Sequence, residues 1–162
     1  MSHFLGTHLN RIDAKGRVSV PAPFRASLRA TPDAATTPIV LRPSHKYSCI
    51  EAWPVPVFET LAGSLDRLDM FSDEHDDLAA ALYADAYPVD ADKEGRIVLP
   101  ETLAAHAGLQ DAVMFMGTGR TFQIWEPAAG KQHQAGVRER ARERGLTLPG
   151  RAPGAPPQSP VQ

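Results

Sequence analysis

Two short segments of the chain carry the same pair of charged side chains at the same spacing. An aspartate is followed four positions later by an arginine at Asp13 and Arg17, and again at Asp92 and Arg96. Three residues ending in glycine separate each pair, which is typical of a tight hairpin loop. Because a guanidinium carries five donors in a fixed fork, the aspartate can take some and direct the rest toward a phosphate or a guanine edge. Both pairs are therefore candidate nucleic-acid-binding groups.

The residues around each pair decide how much positive charge it presents. Lys15 lies at the tip of the first loop, with Asn10 and Arg11 just before the loop. The second loop has Glu94 at the position of Lys15 and Lys93 one position earlier, so its tip is electrically weaker. The first loop is therefore the predicted contact, whereas the second could pack or pair instead. A structural interpretation stays open for both, since an Asp–Arg pair could simply staple its own hairpin.

The two pairs belong to an internal repeat. The segment at residues 13–21 recurs at 92–100, with four of nine positions identical and two aliphatic exchanges. Such self-similarity is typical of a duplicated structural unit. The predicted organisation is a first repeat at 6–54, a helical connector at 55–85, a second repeat at 86–129, and a basic, then proline-rich tail at 130–162.

Local patterns predict the same elements in each repeat. Val18 and Val20 alternate with polar residues, which predicts a strand with one buried face that forms a hairpin with the residues before the loop. Pro21 and Pro100 each end that strand and begin a short helix, because proline has no N–H for a ladder. A second hairpin is predicted near the end of each repeat. The connector has leucines at helical spacing and a cap at Ser72, so its helices are expected to brace the two halves.

Charge is distributed unevenly along a chain of globular composition. The 162 residues are 43% hydrophobic and carry a net charge of −2. Residues 1–46 carry +5 and 131–151 carry +4, whereas 66–94 carry −8. No apolar run is long enough to span a membrane and no export signal is indicated, so a cytoplasmic location is expected. Cys49 lies in an apolar stretch and is expected to be a buried, inert thiol.

Enzyme chemistry has little support in the sequence. The acidic stretch from Asp73 to Asp77 includes His75, but consecutive residues at a helix start point in different directions. This stretch is better explained as an acidic first turn that the helix dipole favours. The sequence also lacks a glycine-rich phosphate loop and a nucleophile elbow. We therefore predict no catalytic residue, no metal ligand and no cofactor.

The repeat and the residues around it closely resemble the MraZ family. The resemblance spans roughly residues 3–127 and rests on Phe4-Leu-Gly6, the run from Asn10 to Pro21 with Phe24-Arg25, the second run at 92–100, His106-Ala-Gly-Leu109 and Phe122-Gln-Ile-Trp125. It implies two tandem AbrB-like swapped-hairpin modules, so the predicted fold is an α+β β-barrel with bracing helices. The proline-rich composition from Pro149 onward predicts a disordered C-terminal tail. The resemblance also implies a bacterial, nucleoid-associated transcriptional regulator. Such a regulator forms a ring-like homo-oligomer and binds direct repeats in double-stranded promoter DNA of the division and cell-wall gene cluster.

The resemblance also implies which residues contact DNA. The family's motif falls on Asp13, Lys15 and Arg17 in the first repeat, and on Asp92 and Arg96 in the second. Relatives usually carry several arginines in the connector, where this chain has the acidic stretch. An antitoxin-like or protein-interaction AbrB module without promoter function is the alternative. The candidate DNA-binding residues are Asn10, Arg11, Asp13, Lys15, Arg17, Asp92, Lys93 and Arg96.

Overall fold

The computed structural model describes residues 3–29 and 39–150. The elements in chain order are β1 (Thr7–Arg11), β2 (Arg17–Ser19), α1 (Ala22–Arg29), β3 (Ile39–Pro43), β4 (Ile50–Pro54), α2 (Val55–Phe58), α3 (Thr60–Leu65), α4 (Asp73–Tyr83), β5 (Tyr87–Val89), β6 (Arg96–Val98), α5 (Glu101–His106), β7 (Ala112–Gly117), β8 (Phe122–Trp125) and α6 (Pro127–Glu143). The paired strands of the described residues are antiparallel. The fold is α+β, as predicted.

The main sheet interlocks the two repeats. Its six strands lie in the order β1-β7-β8-β4-β3-β5. The first strand of each repeat pairs with the hairpin of the other repeat, because β1 adjoins β7 and β5 adjoins β3. The two hairpins meet through β4 and β8. Strands β1 and β5 are the two edges, so the sheet is open, where the sequence led us to expect a closed barrel.

The hairpin predicted around the first loop forms only at the residues next to the loop. An isolated bridge joins Ile12 to Val18, but β2 forms its ladder with β6 of the second repeat and not with β1. The prediction of an extended hairpin at the first loop is therefore wrong. Alternation of apolar and polar residues indicates which face a strand buries, but it does not indicate the partner strand. The hairpins predicted near the end of each repeat are confirmed as β3–β4 and β7–β8.

The core lies between the sheet and the ribbon that β2 and β6 form. Val18 and Ile97 close it from the ribbon, and both are essentially inaccessible to solvent. Phe24 of α1 packs against Phe4 and Phe122, with ring centroids 5.4 and 5.0 Å away. Loss of such a buried phenylalanine typically costs about 3–5 kcal/mol. The ribbon is therefore anchored to the core through Val18 and Ile97, and its other face is turned away from the core.

The connector contains helices, as predicted, but none of the residues of α2, α3 or α4 is fully buried. The predicted cap is confirmed, since the Ser72 hydroxyl accepts the N–H of His75 at 3.1 Å. At its other end α4 is fastened to the sheet by Arg42 of β3. This buried guanidinium donates to the carbonyls of Ala81 and Leu82 at 3.0 and 3.2 Å, and it pairs with Glu51. The connector is thus attached by these hydrogen bonds together with half-buried apolar contacts, such as that of Phe58 with Trp53.

The chain divides into two compact units between Gly130 and Lys131. The first holds the sheet, the ribbon and the connector. The second begins within α6, so the basic segment near residue 140 is helical. Residues 151–162 of the predicted disordered tail lie outside the described residues. None of the helices in the described ranges has the length and apolar composition to cross a membrane.

Candidate nucleic-acid interface

The ribbon of β2 and β6 places both predicted arginines on one surface. Its register sets Arg17 opposite Val98 and Ser19 opposite Arg96. Successive side chains on a strand point to opposite faces, and Val18 and Ile97 occupy the buried face. The other face therefore carries both arginines together with Ser19 and Val98, and Val98 is 56% exposed. We call this face the ribbon surface.

The first turn is held by a dense set of hydrogen bonds to one carboxylate. Oδ1 of Asp13 accepts the backbone N–H groups of Lys15 and Arg17, both at 2.9 Å. Oδ2 accepts the Arg17 Nε–H at 2.7 Å. Gly16 closes the turn at a φ of 76°, a left-handed conformation that glycine adopts without strain. The predicted meeting of Asp13 and Arg17 is confirmed, and the pair is only about one-third exposed.

The second turn repeats this arrangement with the same atoms. Oδ1 of Asp92 accepts the N–H groups of Glu94 and Arg96 at 3.0 and 2.9 Å. Oδ2 accepts the Arg96 Nε–H at 2.9 Å, and Gly95 has a φ of 79°. The two turns also lock each other. The Gly16 carbonyl accepts the N–H of Leu99 at 3.0 Å, and the Gly95 carbonyl accepts the N–H of Val20 at 2.9 Å.

These hydrogen bonds stabilise the charged forms of the turn residues. The backbone N–H of Arg17, ahead of the other contacts, lowers the pKa of Asp13, and that of Arg96 does the same for the pKa of Asp92. The hydrogen bond that Arg96 donates to Asp92 raises the pKa of Arg96, and the charges of Asp92, Glu94 and Asp13 add to it. Asp13 belongs to the first turn, so its charge reaches Arg96 of the second turn, although its effect is smaller than that of Asp92.

The tips of the two turns differ in charge and in hydrogen bonding. Lys15 is exposed, and its ammonium group has no partner among the described residues. The terminal Nη groups of Arg17 likewise have no partner among residues 3–29 and 39–150. In the second turn the Arg96 Nη2 lies 3.3 Å from Oε2 of Glu94. The first turn therefore presents more available donors than the second.

The remaining candidate residues lie near the turns but are not equivalent to them. The Asn10 side chain donates from Nδ2 to the carbonyl of Ser19, so it ties β1 to β2. Arg11 is exposed at the end of β1, and Lys93 is exposed at the second tip. The structure thus brings the two Asp–Arg pairs together on one ribbon, while Asn10 has a structural bond in place of a free amide.

Two polar residues that the sequence did not single out for this region are Arg25 and Ser19. Arg25 of α1 donates from Nη1 to the carbonyl of Glu94 at 3.1 Å, across 69 residues of chain. Ser19 is exposed on the ribbon surface between the arginines. Only the pairing of β2 with β6 creates both positions. The repeat indicated that β2 and β6 are equivalent strands, but Arg25 has no counterpart in the second repeat, where Ala104 stands.

Two other predictions about reactive groups can be checked. Cys49 is buried, as predicted, and burial raises the pKa of its thiol to about 12, which disfavours the reactive thiolate. The acidic stretch forms the first turn of α4, as predicted, with Asp73, Glu74 and Asp76 at the helix start. Within the described ranges no group of three or more histidine, cysteine, aspartate or glutamate side chains is arranged to hold a metal.

The chain that carries this ribbon surface is similar to proteins of one known family. The chain matches the family described as "MraZ protein, putative antitoxin-like" over residues 3–80 and 82–144. A protein of Gluconacetobacter diazotrophicus named Transcriptional regulator MraZ is 65% identical over 95% of this chain and 98% of its own length.

Two further relatives carry the same name. The protein of Gluconobacter oxydans is 59% identical over 88% of this chain and 87% of its own. The protein of Rickettsia bellii is 40% identical over 91% of this chain and 97% of its own. Matches of this identity and coverage establish common ancestry along the whole sheet and both turns. The chain belongs to the MraZ family.

Proposed function

We propose that this protein is a transcriptional regulator that binds double-stranded DNA through the ribbon surface. The observation that carries the proposal is the presence of Arg17 and Arg96 on one outward face of a two-stranded ribbon. A β-ribbon fits the major groove, and a guanidinium can bind guanine O6 and N7 or a phosphate. The name of the relatives supports regulation of transcription, which is not an enzymatic role.

Arg17 is the principal contact in this proposal, and Lys15 assists it. Nε of Arg17 is held by Asp13, so the planar guanidinium is oriented before DNA arrives and its Nη groups remain available. Such preorganisation reduces the entropy lost on binding. Arg96, Lys93 and Asp92 form the second contact on the same surface. Arg11 adds a phosphate contact at the edge of β1 and Asn10 steadies the ribbon.

We further propose that the ribbon is an AbrB-like swapped hairpin formed within one chain. Each copy of the repeat lends its first strand to the hairpin of the other, and β2 and β6 complete the exchange at the centre. The proposed domains are the two repeats at 6–54 and 86–129, the connector at 55–85 and the tail at 130–162. The exchange of strands between copies is the support for this assignment.

A single ribbon has few cationic groups, so tight binding requires several copies. We propose a ring-like homo-oligomer whose ribbons engage direct repeats about one DNA turn, ~34 Å, apart. The promoter of the division and cell-wall gene cluster is the proposed target, and the cytoplasmic nucleoid is the proposed location. Linked contacts of this kind raise avidity without any new contact chemistry.

The test is a gel shift with the purified full chain and duplex DNA from upstream of its own gene. The expected result is a shifted complex that disappears when the direct repeats are scrambled. Log Kd should rise linearly with log salt, because binding releases counterions from phosphates. Equal binding to native and scrambled DNA, or none to either, would refute promoter recognition.

The family description also favours a second candidate, an antitoxin-like interaction module. In that case the exposed ribbon would bind an acidic protein and not DNA. Size-exclusion chromatography with light scattering on the purified chain, with and without the promoter duplex, separates the two. A change in mass that needs the duplex supports the regulator.

A further inference from the structure

Arg25 connects the first repeat to the tip of the second turn. It lies in α1, which follows β2, and its Nη1 donates to the carbonyl of Glu94 at 3.1 Å. Its Nε is also buried, with no acceptor within reach among the described residues. A half-buried guanidinium that makes this contact over 69 residues of chain does not resemble a freely solvated surface arginine.

The second turn is shaped to receive this guanidinium. A Cβ at residue 95 would collide with the Nη1, Cζ and Cδ atoms of Arg25, so a larger residue there would displace the guanidinium from this position. Gly95 thus has two functions, the positive φ of the turn and the space for Arg25. The contact is a fitted one, because either a larger residue at 95 or a shift of α1 would break it.

The first turn has no equivalent. Arg25 lies four residues after Pro21, and the residue four after Pro100 is Ala104. A Cβ placed at Gly16 would meet only the Leu99 carbonyl, at 4.0 Å, so within residues 3–29 and 39–150 no side chain other than those of its chain neighbours packs on this glycine, and we call the first turn open in this sense. The repeats that share every hydrogen bond to their aspartates therefore differ here. One turn is covered by a guanidinium and the other is open.

We propose that Arg25 is a positioning residue of the ribbon surface, which holds the second turn in its DNA-contacting geometry while the first turn stays open. It acts through the backbone of Glu94 and does not itself contact DNA. The part concerning DNA rests on the proposed function, and the part concerning the turn does not. A fixed second turn sets the register of the ribbon on DNA, and the exposed Lys15 side chain at the first tip stays free to reach the bases or phosphates.

The test compares Arg25→Met, which keeps the apolar stem and removes the guanidinium, with Arg29→Met, which removes one charge from the same helix. Amide hydrogen exchange of the full chain without DNA is the first measurement. We expect exchange at residues 94–96 to accelerate about three- to tenfold in Arg25→Met, since one hydrogen bond is lost. Exchange at residues 15–17 should not change, and Arg29→Met should leave both turns unchanged.

The second measurement is the Kd for the duplex from upstream of the gene at several salt concentrations. Arg25→Met should weaken binding about three- to tenfold without altering the slope of log Kd against log salt, because no phosphate contact is removed. A slope reduced by about one would overturn the proposal in favour of a direct phosphate contact.

Unchanged exchange at residues 94–96 in Arg25→Met would overturn the positioning role whatever the DNA result. If the wild type does not bind DNA, the proposed function fails, and the exchange comparison still decides whether Arg25 holds the turn. Should Arg25→Met fail to fold, Arg25→Gln replaces it with the same expectations, and a thermal melt of each variant identifies that case.

Discussion

The first and second turns of the ribbon have the same interior and different tips. In both, one aspartate carboxylate accepts two backbone N–H groups and the arginine Nε–H, with matching distances within 0.2 Å. At the tips, Lys15 is unpartnered within the described residues, whereas Glu94 pairs with Arg96 and its carbonyl accepts from Arg25. Duplication has preserved the hydrogen bonds inside the turn, and the turns differ in the groups at their tips and in the contact with Arg25.

This difference separates two roles that one sequence motif can have. The hydrogen bonds that recur in both turns maintain the backbone, so they correspond to the staple that the sequence left open. The groups that differ, Lys15 against Glu94, determine the charge presented to a ligand. The Asp–Arg pair is therefore both staple and orienting device. Variants that alter one turn at a time can show which role dominates in each.

The largest expected effect is a difference between Arg17→Ala and Arg96→Ala in DNA binding. Arg17→Ala should weaken binding by about 1–3 kcal/mol per engaged site, since its free Nη groups are the proposed contacts. Arg96→Ala should weaken DNA binding less than about tenfold. Its Nη2 is already paired with Glu94, so its loss should have only the effect of losing a surface contact. Fluorescence anisotropy with the promoter duplex at one salt concentration measures both.

Thermal unfolding of the two variants is the control for this comparison. Both should unfold close to the wild-type temperature, because Val18 and Ile97, not the arginines, anchor the ribbon to the core. Equal losses of affinity would contradict the unequal roles. If Arg17→Ala melts the protein while its folded fraction binds normally, the pair is a staple only.

The elements of this fold were predictable wherever local rules apply. Gly16 and Gly95 adopt the positive φ that their loops require, and Val18 and Val20 are buried as their alternation indicates. The Ser72 cap was visible from its position before an acidic run. Pairing between the repeats was not visible, because the period of a strand specifies its faces and not its partner. For this reason the sequence did not predict how short the first hairpin is or that the sheet is open.

The candidate site was predictable in its residues more than in its arrangement. The motif itself identified Asp13, Arg17 and their counterparts, and the structure confirms the contact within each pair. That both arginines share one face depends on the β2–β6 register, which joins residues about 80 apart. The contact of Arg25 with Glu94 is equally non-local. Long-range contacts of this kind leave no periodic signal in a single sequence.

The next effect in size is a gain of binding in the second turn. Glu94→Lys gives this tip the charge of Lys15 and releases Arg96 Nη2, so affinity for the promoter duplex should increase about three- to tenfold. The slope of log Kd against log salt should steepen by about one. Glu59→Lys, at an exposed position of the connector, makes the same change of charge and is the matched control. An equal gain from both variants would mean that the second turn does not face DNA.

The smallest expected effect concerns pH, and here the two turns should behave alike. Both aspartates have a lowered pKa because backbone N–H groups, above all those of Arg17 and Arg96, bind their charged forms. A lowered pKa means that each carboxylate contributes stability above the unfolded value of about 3.9, and that this contribution is lost as pH falls through the folded pKa.

Thermal unfolding of Asp13→Asn, Asp92→Asn and the wild type from pH 7 down to pH 2 measures this contribution. Each variant should unfold a few degrees below the wild type at about pH 7, and the gap should close below about pH 3.9. A gap that persists unchanged at pH 2 would mean that the carboxylate charge is not what stabilises the turn. A gap for one variant alone would show that the aspartate hydrogen bonds inside the two turns are not equivalent. The turns would then differ in these shared hydrogen bonds and not only at their tips.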